Sequence, residues 1–132
     1  MDRTLMIIKP DAVKKNAVGD IIRRVEEKGF VVRELRMLSQ TKEQARAFYA
    51  VHRERPFYED LVDFMASGPC VPLVLERKDA VPFLREVVGA TNPDEAGEGT
   101  IRKAHGSNIQ NNAVHASDSA ENAVAEISFY FN

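Results

Sequence analysis

A single cysteine, Cys70, means that no disulfide can staple this chain. A lone thiol fits a reducing compartment, and beside an apolar strand it reads as a small buried hydrophobe. Long apolar runs are missing too, so no stretch is suited to crossing a membrane. The apolar residues of the opening Met1 to Asp11 stop at Lys9-Pro10, with no small-residue cleavage site; they read as a strand rather than a signal peptide. The expected location is cytoplasmic. Charge of one sign is not in excess: the net charge is −2 and the isoelectric point about 5.9, which offers no electrostatic footprint for DNA or RNA. Repeats and low-complexity tracts are absent. The glycines at 97 and 99 lack the Lys-Ser/Thr of a P-loop, and no Gly-x-Gly-x-x-Gly occurs. Carboxylates are scattered and His/Cys ligand spacings are missing, so no metal cage is expected.

What is present suits one domain over residues 1–132, with 44% hydrophobic residues to build its core. Thr4 to Ile8 reads as a central strand ending at Pro10. Asp20 to Lys28 has helical spacing closed by Gly29, and Phe30 to Leu38 reads as a strand with imperfect alternation. Thr41-Lys-Glu-Gln44 is a capping box that opens a helix expected to run to His52. A further helix is expected from Pro56 to Ala66, a strand at Val71 to Leu75, and a helix capped by Asp79 and ending before Gly89. Residues 89–112 have little apolar periodicity; a loop of that length in a small domain is functional or disordered. A short strand at Ala113 to His115 and a last helix opening at Ser117 to Glu121 complete the chain. The mixture predicts an α+β sandwich with helices packed on a four-stranded sheet, its strand order left open.

Among groups able to do chemistry, His115 follows an apolar pair and precedes Ala-Ser-Asp-Ser, placing it at a strand-to-helix junction where free backbone N–H groups favour anions. His52 ends a helix, and His105 in the polar loop reads as solvated. Lys9 leaves a buried strand directly and needs a sheet edge or a partner. Lys9, Arg85 and Arg102, from three separate segments, are the residue types a triphosphate clamp requires: forked donors from Arg, a point charge from Lys.

The stretch Asn112-Ala-Val-His115-Ala-Ser-Asp-Ser119 resembles the active-site signature of nucleoside diphosphate kinases, Asn-x-x-His-Gly-Ser-Asp. Thr4 to Asp11, Phe48 to His52, Arg55-Pro-Phe57, Ser67-Gly-Pro69, Gly89 to Pro93 and Gly99 to Arg102 match the same family, in order, across essentially the whole chain. The resemblance implies a ferredoxin-like fold with an antiparallel sheet and a ping-pong reaction. A triphosphate, ATP as expected donor, gives its γ-phosphate to His115, which passes it to a second nucleoside diphosphate. Magnesium would arrive on the nucleotide phosphates. By position, Lys9, Tyr49, Arg85, Thr91, Arg102 and Asn112 would line phosphates and ribose, and His52 would hydrogen-bond a phosphate. Phe57 would lie against the base with Leu61 and Ile109 nearby, which implies broad base specificity. Ser117 and Glu126 would support His115, Glu126 by accepting from one ring N–H if the last helix folds back. The family assembles, so a homo-oligomer built from dimers is expected, burying an outer strand and helix; the chain's end at Asn132 favours a tetramer over a hexamer.

The chain departs from the pattern at Ala116, where the family usually has Gly, and in Lys103 to Gln110, which lacks the usual Phe. A glycine held at positive φ would make Ala116 strained; the expectation is instead that Ala fits with negative φ. Two rival readings compete with the enzyme. An inactive nucleotide sensor on the same fold would take its motive from Ala116. A ferredoxin-like RNA binder would need a basic face that the charge does not supply.

Overall fold

The central strand β1 (Asp2–Ile8) is buried from Thr4 onward, because the sheet it belongs to is covered on both faces. Alternation sorts its side chains. Met6 and Ile8 join Ile21, Val25 and Leu84 in one core layer. Leu5 and Ile7 join Ala45, Val62 and Met65 in the other. A computed structural model describes residues 1–131; Asn132, on which the tetramer expectation rests, lies outside them.

The elements that follow are α1 (Pro10–Lys14), α2 (Val18–Glu27), β2 (Val31–Leu35), α3 (Lys42–Phe48), α4 (Tyr58–Met65), β3 (Val71–Arg77), α5 (Ala80–Val88), α6 (Ile101–His105), β4 (Val114–Ala116) and α7 (Ala120–Phe131). Strand order is β2-β3-β1-β4, with every neighbouring pair antiparallel. This is the ferredoxin-like α+β sandwich that the pattern of elements and the resemblance implied. Residues of α2, α5 and α6 fill one layer, and residues of α3, α4 and α7 fill the other.

The capping box forms as read: Thr41 Oγ1 accepts from Gln44 N–H at 3.1 Å, and Gln44 Oε1 accepts from Thr41 N–H at 2.9 Å. Other local readings are corrected. The helix expected to reach His52 stops at Phe48, and a 3₁₀ turn, Ala50–His52, carries the chain on. Pro10 ends β1 but also opens α1, where a missing N–H costs nothing and Asp11 suits the first turn. The strand expected to reach Leu38 ends at Leu35, beyond a register shift at Val32/Glu34 that accounts for the broken alternation; Leu38 makes only an isolated bridge to Cys70. Asp79 stands at the cap of α5, yet its side chain makes no cap bond, and its φ is 54°. The long stretch from Gly89 is not all loop: a 3₁₀ turn spans Pro93–Glu95, and Thr100 caps α6 by accepting from Lys103 N–H at 3.2 Å.

Candidate active site

β4 sets the direction of His115. Ile7 lies opposite His115 in the β1–β4 ladder, so the imidazole shares the face of Ile7 and meets the α3–α4–α7 layer. Phe48 approaches the ring edge-on at 5.5 Å and Tyr49 at 6.2 Å between centroids. The ring's Nε2 lies 2.8 Å from Glu126 Oε1, and Ser117 Oγ donates to the same oxygen at 2.6 Å. An ionised Glu126 can only accept, so Nε2 is the ring nitrogen that bears a hydrogen, and in the neutral ring the lone pair is on Nδ1. Nδ1 has no partner among the described residues.

His115 lines a cavity of about 780 Å³, a volume that suits a nucleotide. One wall is cationic. Lys9 is buried and donates from Nζ to Asn112 Oδ1 at 2.9 Å; burial first, and the neighbouring Arg102 second, bring its pKa down to about 8 against an opposing effect of Asp11. Arg102, which α6 presents, donates to Gly89 O at 3.1 Å and Val114 O at 2.9 Å. Its Nε is buried without a partner among the described residues, and burial together with Arg85 lowers its pKa to about 10. Arg85 donates to Ala116 O at 3.2 Å. Asn112 Nδ2 donates to Thr91 O at 3.0 Å, tying that loop to the same wall. The opposite end is apolar: Phe57, Leu61 and Ile109 line it, with Phe57 about half exposed and Ile109 more so.

Twelve of the thirteen residues singled out in the sequence line this one cavity, and the thirteenth, Ser117, lies behind it on Glu126. Two of them have aromatic surroundings within the cavity wall. Tyr49 presents its ring, while its hydroxyl is buried without a partner among the described residues; burial raises its pKa strongly. His52 stacks near Tyr49 at 6.5 Å and lies 5.6 Å from Phe57. His105 is not simply solvated. Its Nε2 lies 2.6 Å from Asp20 Oδ2, and Arg24, then His105 and Arg23, hold the Asp20 carboxyl well below the usual range. Missed from sequence were Asn122 and Phe129, which flank Glu126 at helical spacing on α7 and also line the cavity. That spacing was the available signal. Phe48, against the His115 ring, carries in the sequence no signal beyond its place in the Phe48 to His52 match.

Ala116 resolves the question its identity raised. It is paired with Met6 in β4, almost fully buried in the core, and not among the residues with positive φ. The positive φ in this segment belongs to Ala113, at 75°. Among the described residues no three His, Cys, Asp or Glu side chains gather as a metal cage, and no helix is long and apolar enough to cross a membrane.

A ferredoxin-like sheet that sets an oriented histidine and three cations around a nucleotide-sized cavity defines a nucleotide phosphotransferase. The comparisons with known proteins agree. The family model "Nucleoside diphosphate kinase" matches residues 2–132. The chain is 58% identical over 131 residues to the nucleoside diphosphate kinase of Campylobacter concisus, covering 99% of this chain and 96% of the relative. It is 54% identical over 132 residues to that of Persephonella marina, covering 100% and 94%. The Aquifex aeolicus nucleoside diphosphate kinase structure superposes with a TM-score of 0.98 at 48% identity, covering 99% of this chain and 95% of that one. The chain belongs to the nucleoside diphosphate kinase family. It is an enzyme that transfers phosphate between nucleoside triphosphates and diphosphates through a phosphohistidine.

Proposed function

We propose that His115 is the phosphate carrier and that Nδ1 is its nucleophilic atom. The observation that carries this is the Glu126–His115 hydrogen bond at 2.8 Å, which fixes the tautomer and leaves Nδ1 as the free lone pair. In the first half-reaction Nδ1 attacks the γ-phosphorus, the bond to the β,γ-bridging oxygen breaks, and the diphosphate leaves. In the second, a terminal oxygen of an incoming diphosphate attacks the phosphohistidine and Nδ1 regains its lone pair. Lys9, Arg85 and Arg102 offset charge on the transferring oxygens, where this chemistry works by position and field. Asn112 and Thr91 hold the wall that these cations share. Magnesium would arrive with the nucleotide phosphates and supply positive charge there beside Lys9, Arg85 and Arg102, and ATP serves as donor.

Phe57, Leu61 and Ile109 give the base an apolar slot, so purines and pyrimidines are held by stacking. The whole chain acts as one cytoplasmic domain and assembles as a homo-oligomer built from dimers. Support for assembly comes from β2, an edge strand of the sheet on which Val31 and Leu35, with Met37 just beyond, are exposed. The deciding experiment incubates wild type and His115→Ala with ATP labelled on the γ-phosphate. Wild type takes up acid-labile, base-stable label; His115→Ala takes up none, and loses exchange while binding ATP within about tenfold. Exchange above about a hundredth of wild type in that variant overturns the assignment, because no second nucleophile should replace a lost covalent one so well.

A further inference from the structure

Two residues before His115 the backbone is strained. Ala113 has φ 75° and is fully buried, and Val114 N–H donates to Asn112 O at 2.9 Å across it. Asn112–Val114 is therefore a γ-turn of the disfavoured hand, which a residue with a Cβ holds only when its surroundings impose it. The other non-glycine residues with positive φ, Asn16 and Asp79, are types that tolerate that region; Ala is not.

The surroundings can be named. Lys9 N–H donates to Ala113 O at 2.9 Å. Arg102 donates to Val114 O at 2.9 Å, and the Asn112 side chain is held by Lys9 and Thr91. The amide of Ala113 itself is met by one side chain: Asp11, in the first turn of α1, accepts it on Oδ2 at 3.1 Å. The other Asp11 oxygen is buried without a partner among the described residues, so the carboxylate's one hydrogen bond within them is to the strained peptide.

We propose that Asp11 is a positioning residue for phosphotransfer, holding the Ala113 γ-turn and through it the place of His115. The inference rests on His115 being the phosphate carrier. Without the acceptor, Ala113 relaxes toward negative φ. Its carbonyl then rotates away from Lys9 N–H, and β4 starts from a different position. A shift of about 1 Å at the nucleophile is enough to slow the transfer about a hundredfold. Asp11 has a second possible influence, its charge near Lys9, and the two separate cleanly. Asn at this position keeps an acceptor oxygen and loses the charge. Glycine at 113 accepts positive φ freely and makes the clamp unnecessary.

The test measures single-turnover labelling of the enzyme by γ-labelled ATP, together with ADP affinity, in wild type, Asp11→Asn, Asp11→Ala, Ala113→Gly and the double variant Asp11→Ala/Ala113→Gly. Asp11→Ala is expected to label at least about tenfold more slowly with ADP affinity within about threefold. Asp11→Asn should label within about threefold of wild type, and the double variant should recover most of the lost rate. If Asp11→Ala does not fold, recovery of fold and rate in the double variant supports the proposal, and failure to recover overturns it. Asp11→Asn as slow as Asp11→Ala overturns it in favour of the charge. So does an Asp11→Ala enzyme that labels at the wild-type rate, or one whose ADP affinity falls in step with its rate. Wild type that takes no label at residue 115 instead overturns the assignment of the carrier itself.

Discussion

Ser117 and Glu126 share a 2.6 Å hydrogen bond, made to the same Oε1 that accepts the His115 ring N–H. One carboxylate oxygen therefore serves two donors, and the serine holds the carboxylate at the angle the imidazole needs. A hydrogen bond to a charged acceptor is worth ~1.5–3 kcal/mol. Ser117→Ala frees Glu126 to rotate, and phosphohistidine formation should slow by about tenfold, since ~1.4 kcal/mol is a factor of ten in rate. KM for ATP should hardly move, because Ser117 lies outside the cavity. Stopped-flow labelling with a parallel binding measurement checks this; a change confined to KM would contradict it.

The base slot predicts a uniform response. Phe57 faces the cavity with about half of its surface exposed. Phe57→Ala should weaken binding of ADP, GDP, CDP and UDP alike, by ~1–3 kcal/mol of lost stacking. Four titrations decide it, and a loss restricted to one base would show that the slot reads base edges.

Burial of Lys9 makes affinity and stability move oppositely with pH. Its pKa is lowered to about 8, whereas in the unfolded chain it lies near 10.4. Below about pH 8 both states hold the proton, and the penalty of the buried charge falls fully on the folded state. Between about 8 and 10.4 the unfolded chain binds more protons, so this residue's contribution to stability rises with pH. Phosphate binding needs the charged amine, so ADP affinity should drop by about tenfold between pH 7 and pH 9. Arg102, lowered to about 10, keeps its charge over that range. Calorimetry and denaturant unfolding on wild type and Lys9→Met provide the check: the variant should lose both slopes. Affinity and stability of wild type rising together would refute the account.

Much of this site was readable before the fold because its chemistry lies in residue types at fixed spacing. The apolar run of β1 and the Asn112–His115 segment are local signals, and pairing Ile7 with His115 turns them into one wall. What could not be read depends on pairs far apart in sequence or on elements too short to show a period. Asp11 and Ala113 meet across 102 residues, and Asp20 and His105 across 85. At five residues, α6 holds little more than one helical turn, so apolar periodicity cannot reveal it. Tyr49 lines the cavity with the other residues of its motif, but the direction of its hydroxyl follows from packing against the α7 layer rather than from its place in that motif.

Ala116 stands where the signature that this segment resembles has glycine. Were the position held at positive φ, alanine would be disfavoured by ~1–2 kcal/mol and the strain would fall beside the nucleophile. The backbone there is ordinary strand instead: Ala116 pairs with Met6, and its carbonyl accepts from Arg85 at 3.2 Å. Its side chain is part of the core formed with Val114 and Leu84. Alanine thus adds buried surface and removes conformational freedom from the unfolded chain, both at no local cost. Ala116→Gly should leave the exchange rate within about threefold, because His115 keeps its ladder partner and its Glu126 bond. It should also lower stability by ~0.5–1 kcal/mol, the usual cost of glycine in a strand interior. The two measurements, coupled-assay exchange and denaturant midpoint, must be read together. A rate gain of about tenfold on that substitution would mean that alanine displaces His115 after all. A gain in stability would mean that the Cβ is crowded in this layer rather than accommodated by it.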